Sequence, residues 1–318
     1  MLMKKSSIFL IIVAIVVLIG AAAAGVVLSK NNGDNNDRET VTVTMGWEAE
    51  IIEDIAGDDF NVEVMLPAGT SPHVVYSTPS NVANLYNSAV YFEVGTDVEW
   101  EVAFLEDVKE DIPDSVEIVN LSESIAYVGM MSEEYGEGDE YDAHIWTSPE
   151  YLTEMAKVIE EKLTALNPDH AGEYAAGLEG YTAAAEKVGD AMQALADRYT
   201  TSTAESPYVV MVWHPAWVYF LQQYAADYSI YFDMVSVESN GDVTADKAIE
   251  IIENNNGSAI FVSGFDEGST DAVKEVMEKN GITVYTIDPT SENMLAALTE
   301  FIGDLDGYLG DLTATSSE

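Results

Sequence analysis

The chain has 318 residues, 47% of them apolar, with 12 Lys and Arg against 57 Asp and Glu for a formal net charge of −45. That length suits about two domains with real cores, while the charge excludes the basic face a nucleic-acid binder needs and the polybasic patch that docks on anionic lipid. Cysteine is absent, which removes disulfides, thiolate metal sites, a Cys nucleophile and a lipid-modified N-terminal Cys, and leaves any metal chemistry to His, Asp and Glu.

Residues 1–30 hold no acid and three lysines, Lys4, Lys5 and Lys30, so the remainder carries 9 basic against 57 acidic residues, a net of −48. Ile8 to Leu28 is an uncharged run of 21 residues, about 31 Å as a helix and long enough to cross a bilayer core. Lys4 and Lys5 put the short tail in the cytoplasm and everything after residue 30 outside. A cleaved signal peptide, with alanines at 21–24 near the cut, is the competing reading; the length of the apolar run favours a retained transmembrane anchor. Both imply export. Residues 31–39 (NNGDNNDRE) form a polar linker.

From Thr40 strand-like and helix-like segments alternate. VTVTMG (41–46), NVEVML (61–66) and AVYFEV (89–94) read as strands, with a helix around Glu48–Ala56; YVVMVW (208–213), SAIFVS (258–263) and ITVYTI (282–287) are later strands, with helical patterns at 244–255 and 269–279. Strands spaced by helices predict an α/β fold with parallel sheets. Between Asp169 and Thr200, Tyr174, Leu178, Tyr181, Ala185, Val188, Met192, Leu195 and Tyr199 recur at helical spacing, which predicts one long amphipathic helix of about 31 residues, near 46 Å. The division expected is an N-terminal α/β lobe over 40–165, a linking spine helix over 166–200, a C-terminal α/β lobe over 201–312 and a frayed tail at 313–318.

The four histidines are His73, His144, His170 and His214. His73 lies in a Pro-rich loop after a strand, His144 precedes a helix start, and His214 directly follows the strand YVVMVW; Asp288 takes the same place after ITVYTI. Ligands of open α/β sheets collect beyond the carboxyl ends of the strands, so His73, His144, His214 and Asp288 group as a four-coordinate site, with Zn²⁺ the first candidate and Mn²⁺ or Fe²⁺ possible. Each alone also suits a hydrogen-bonded core or cap residue. His170, on the first turn of the spine, is left outside the group. The acidic stretch Glu133–Asp142 reads as a solvated loop, with a cation-collecting flap as its functional alternative. Trp146, Trp213 and Trp217 are expected to pack the lobe interface.

With those residues in view, the chain resembles the metal-binding subfamily of ABC-transporter substrate-binding proteins, the zinc/manganese (ZnuA- and TroA-like) solute-binding proteins, over about residues 40–310. The segments that carry it are the opening strand-helix-strand with LPAGTSPH and the following Thr78-Pro79-Ser80, then DAHIW, VVMVWHP, and SAIFVSGF through TVYTIDP. The resemblance implies two α/β lobes joined by one rigid helix, a metal held in the cleft by His73, His144, His214 and Asp288, no enzymatic reaction, delivery of the ion to an ABC permease, and a monomer. His at the third position resembles zinc-leaning members. Ala143 stands where Pro is usual, Pro215 where a small or acidic residue is common, and Ser263-Gly264 replaces a frequent Glu-Pro. A surface metallohydrolase or a metal-dependent adhesin are the rival classes.

Overall fold

The computed structural model describes residues 38–315 apart from 75, 124, 126–141, 239–243, 267 and 269. The apolar run 8–28, most of the polar linker and all of the acidic stretch except Asp142 lie outside the described residues.

Two four-stranded sheets form, every pairing parallel. The first holds β1 (Thr40–Val43), β2 (Asn61–Val64), β3 (Val90–Glu93) and β4 (Glu117–Asn120) in the order β2-β1-β3-β4. The second holds β5 (Tyr208–Val212), β6 (Phe232–Ser236), β7 (Ala259–Val262) and β8 (Thr283–Thr286) in the order β6-β5-β7-β8. The inner strands are apolar runs buried on both faces, as parallel sheets require; β7 is buried at all four positions. The missing strands of the sequence reading are β4 and β6, both at sheet edges. EIVN in β4 is half exposed, with no buried position, and carries a charge, so it gives no apolar signal.

The helices of the first lobe are α1 (Gly46–Ala56), α2 (Pro79–Tyr86), α3 (Glu99–Val108) and α4 (Pro149–Leu166). The spine is α5 (Ala171–Ala196), 26 residues preceded by a 3₁₀ turn at Pro168–His170, about 39 Å long at 1.5 Å per residue. It is shorter than the periodicity predicted, because Pro168 opens a 3₁₀ turn first and the Arg198 amide bonds the Leu195 carbonyl at the other end. Tyr174, Tyr181, Ala185, Val188, Met192 and Leu195 are buried as predicted, with Leu178 and Tyr199 half-buried against the same core. The second lobe adds a π-helical stretch at Tyr219–Tyr224, α6 (Ala245–Asn254), α7 (Asp271–Lys279) and α8 (Met294–Thr315). Residues 313–315 thus continue a helix.

One apolar cluster runs from β1 and β3 through α4 and the spine into β5, β7 and α8; a second, around Met211, Trp213 and Ile252, lies under α6 and α7. Two spine glycines set how closely the lobes seat. A Cβ on Gly177 would stand 2.5 Å from the Ile55 carbonyl oxygen, against α1, and one on Gly189 would stand 2.2 Å from the Tyr228 hydroxyl of the second lobe. Of the three tryptophans, Trp146 and Trp217 join the shared core, whereas Trp213 faces the outer cluster of the second lobe.

At the point where strand order reverses in the first sheet, the crevice is filled by the chain's own carboxyls. Glu101 accepts bonds from the Val94 amide (2.8 Å), the Gly95 amide (3.0 Å) and the Thr44 hydroxyl. Glu48 accepts from the Met45 amide at 2.6 Å and has a second oxygen without a partner. Burial, reinforced by their mutual charge, pushes Glu48 well above the carboxylate range; burial also raises Glu101, to about 7.

Two outcomes follow. Gly177→Ala lowers stability by about 1–2 kcal/mol, because the forced contact with α1 outweighs the gain in helix propensity; thermal denaturation measures this. Glu101 has a folded value of about 7 against an ordinary 4.5, so the folded chain holds the extra proton, and the stability present below pH 4.5 is lost as pH rises through about 7. The melting temperature therefore falls between pH 5 and pH 8, and Glu101→Gln flattens that slope.

Candidate metal centre

His214 lies two residues beyond β5, at the strand-order reversal of the second sheet. The Trp213 amide still bonds the Phe261 carbonyl at 2.8 Å, so His214 leaves the sheet directly from its last ladder rung. β6 runs parallel to β5 with Val212 opposite Ser236. Two residues further along, Glu238 therefore stands opposite His214, and its Oε2 lies 2.8 Å from His214 Nδ1.

His73 sits in the loop after β2. That loop is seated on the start of α3, where the Trp100 amide bonds the Pro72 carbonyl (3.1 Å) and the Trp100 indole bonds the Tyr76 carbonyl (2.6 Å). The first residue of α3, Glu99, then lies 2.7 Å from His73 Nδ1. His144 precedes a 3₁₀ turn at Ile145–Thr147 that leads into α4. Its amide and its Nδ1 both meet Asp142 Oδ1 at 2.9 Å. The Tyr219 hydroxyl, from the π-helical stretch of the other lobe, holds the Asp142 carbonyl at 2.7 Å. Asp142 is buried, so the last residue of the acidic stretch is not part of a solvated loop.

Each of the three imidazoles thus has its Nδ1 on a carboxylate, which only accepts. Nδ1 carries the proton, and in the neutral ring Nε2 is a bare lone pair. The three Nε2 atoms face one another: His73 to His144 3.1 Å, His73 to His214 3.2 Å, His144 to His214 3.2 Å. Three converging lone pairs without a donor between them repel, and a cation at their centre removes the repulsion. In a tetrahedral shell with metal–nitrogen bonds of about 2.0–2.1 Å, ligand atoms stand about 3.3–3.4 Å apart, within a few tenths of an ångström of the triangle seen here.

Electrostatics favour that state. Burial lowers the His214 pKa, and the two neighbouring imidazoles add to this, outweighing the hydrogen bond that His214 donates to Glu238, so the ring is kept neutral. Burial alone would raise Glu99 and Asp142, but His73 and His144 respectively hold each below its ordinary value.

Asp288 is not gathered with the three. The group of ligand atoms within 4.8 Å of one another contains His73, His144 and His214. Asp288 lies two residues beyond β8, half-buried, with Oδ1 accepting from the Thr290 amide and hydroxyl at 2.8 Å each. His170 belongs to a separate group with Asp59 and Glu173. There its Nδ1 is 2.5 Å from Asp59, which also accepts from the Tyr174 hydroxyl at 2.8 Å, and these contacts fasten the turn before β2 to the spine.

Sequence reasoning missed Glu99, Asp142 and Glu238, which orient the rings. The signal for Glu238 was the parallel register: once FDMVS is taken as the strand beside YVVMV, the offset of 24 residues pairs 214 with 238. For Asp142 the signal was its place two residues before a histidine.

Two parallel α/β lobes on one long helix thus bring histidines from both together between strand ends. The family model described as "Zinc-uptake complex component A periplasmic" (ZnuA) matches residues 41–312, and the chain belongs to that family, whose members are solute-binding receptors of ABC importers and not enzymes. The manganese-binding lipoprotein MntA of Halalkalibacterium halodurans is 24% identical over 213 residues, 67% of each chain. The iron ABC transporter substrate-binding lipoprotein MtsA of Streptococcus pyogenes is 25% identical over 261 residues, 79% of each. The zinc-binding lipoprotein AdcA of Streptococcus pneumoniae is 23% identical over 261 residues, 79% of this chain and 49% of that one. Among solved structures, a zinc-bound ZnuA deletion mutant superposes with a TM-score of 0.69 at 22% identity, covering 86% of this chain and 98% of that one. The periplasmic zinc-binding protein TroA of Treponema pallidum gives 0.68 at 19% identity, covering 86% and 99%.

Glu238 has a side chain 45% exposed, so its removal spares the fold. Glu238→Ala is expected to leave the melting temperature within about 2 °C and to weaken divalent-metal binding about 10- to 100-fold, as read by competition with a chromogenic chelator.

Proposed function

We propose that the protein is an extracytoplasmic receptor that captures Zn²⁺ through His73, His144 and His214, with Asp288 closing the shell, and delivers it to an ABC permease. The observation that carries this reading is the triangle of bare Nε2 atoms, each ring fixed by its own carboxylate. Nitrogen-rich ligation favours zinc over manganese, and three imidazoles leave no oxygen in the triangle for a harder ion. Four protein ligands also leave no open position for an activated water, which argues against the hydrolase alternative.

Among the described residues no helix is long and apolar enough to cross a membrane. The reading assigns export to residues 8–28, either retained as a membrane anchor or removed as a signal peptide. The three relatives above are named lipoproteins, whereas the 318 residues here contain no cysteine.

Calorimetry tests the assignment. Wild type is expected to bind one Zn²⁺ and to prefer it to Mn²⁺ in direct competition; His214→Ala is expected to lose roughly 100-fold or more in zinc affinity with an unchanged circular dichroism spectrum. Undiminished zinc affinity in His214→Ala would contradict it, and a preference for Mn²⁺ would reassign the cargo.

A further inference from the structure

Trp146 is fully buried in the turn that follows His144. Its ring stacks on Trp47 of α1, with centroids 6.2 Å apart and planes 13° apart, and stands 5.1 Å from the His144 ring. Stacking accounts for its apolar faces. Its one polar atom does something else: the indole Nε1 donates to the carbonyl oxygen of Pro289, in the other lobe, at 2.6 Å.

That carbonyl belongs to the peptide joining Pro289 to Thr290. The N–H at the other end of the same peptide plane donates to Asp288 Oδ1 at 2.8 Å. One rigid peptide therefore links the two bonds, running from the indole N–H into the Pro289 carbonyl, and from the Thr290 N–H to the Asp288 carboxylate. Because the peptide is planar, the indole fixes the direction in which its N–H points. Donation into the carbonyl also polarises the peptide and strengthens the outgoing bond. The Thr290 hydroxyl, itself buried, supplies the second bond to the same oxygen.

We infer that Trp146 is a positioning residue for Asp288, through which the segment bearing His144 in one lobe sets the orientation of the carboxylate ligand in the other. The inference rests on Asp288 being the fourth ligand. Asp288 is outside the group of ligand atoms lying within 4.8 Å of one another, and two bonds steer one of its oxygens, so the peptide plane governs which way the other is presented to an ion. A change in that plane alters the fourth bond and leaves the three histidines in place.

Trp146→Phe keeps a ring on Trp47 and removes the N–H. It is expected to weaken zinc binding about 3- to 10-fold and to speed release into a chelator by a similar factor. In an Asp288→Ala background the same substitution is expected to change zinc affinity less than about 2-fold, because the group it acts through is gone. A purely structural role would give the same loss in both backgrounds. Replacing Trp146 with β-(3-benzothienyl)alanine, which keeps the two-ring shape and puts sulfur in place of N–H, repeats the test where Phe disturbs folding. Wild-type affinity in either Trp146 variant overturns the inference, as does an undiminished effect without Asp288. If His214→Ala also bound zinc normally, the failure would belong to the site assignment and not to Trp146.

Discussion

Everything at the centre of this molecule depends on three imidazole nitrogens held 3.1–3.2 Å apart with their lone pairs facing inward. That arrangement is unfavourable by itself. It persists because each ring is tethered at its far side by a carboxylate, Glu99, Asp142 or Glu238, so no ring turns away to relieve the crowding. The carboxylates also keep the protons on Nδ1. The folded chain thereby stores an electrostatic demand that a divalent cation satisfies, and the attraction is local to this point. The net charge of −48 on residues 31–318 draws every cation alike and is screened by salt within about a nanometre, so the proposed assignment leaves selection to the histidines.

The scaffold serves that triangle by being stiff. His73 and His144 come from one lobe and His214 from the other, so the nitrogens keep their spacing only if the lobes keep theirs. The spine packs against both through close contacts at Gly177 and Gly189, and one apolar core continues across them. The Tyr219 hydroxyl on the Asp142 carbonyl and the Trp146 indole on the Pro289 carbonyl add directed bonds across the same junction. Both lie beside segments that carry the proposed ligands, where a displacement of a fraction of an ångström would change the spacing of the ligand atoms. The first sheet's own crevice is occupied by Glu48 and Glu101, which leaves the shared cleft to the loops.

Much of this was legible in the residues. Inner strands such as β3 and β7 announce themselves as short apolar runs, and the spine by its 4-3-4-3 spacing. The three histidines group because each follows a strand end or precedes a helix start, positions where side chains face the crevice. β4 and β6 were not legible, because edge strands are half solvated and their composition is mixed. Losing β6 also hid Glu238, whose relation to His214 is a matter of register between neighbouring strands and not of distance along the chain. Asp142 was hidden differently: it closes a run of acids whose composition reads as solvent-facing, yet its own bonds to His144 bury it. Asp288 joins the group by analogy of position with His214, and in this structure its Oδ1 accepts from the Thr290 amide and hydroxyl.

The most direct measurement is X-ray absorption at the zinc edge on the purified, zinc-loaded protein. The account predicts a four-coordinate first shell with three imidazole nitrogens at about 2.0–2.1 Å and one carboxylate oxygen, with the multiple-scattering signature of three histidines. A shell dominated by oxygen, or one with fewer than three imidazoles, would contradict it.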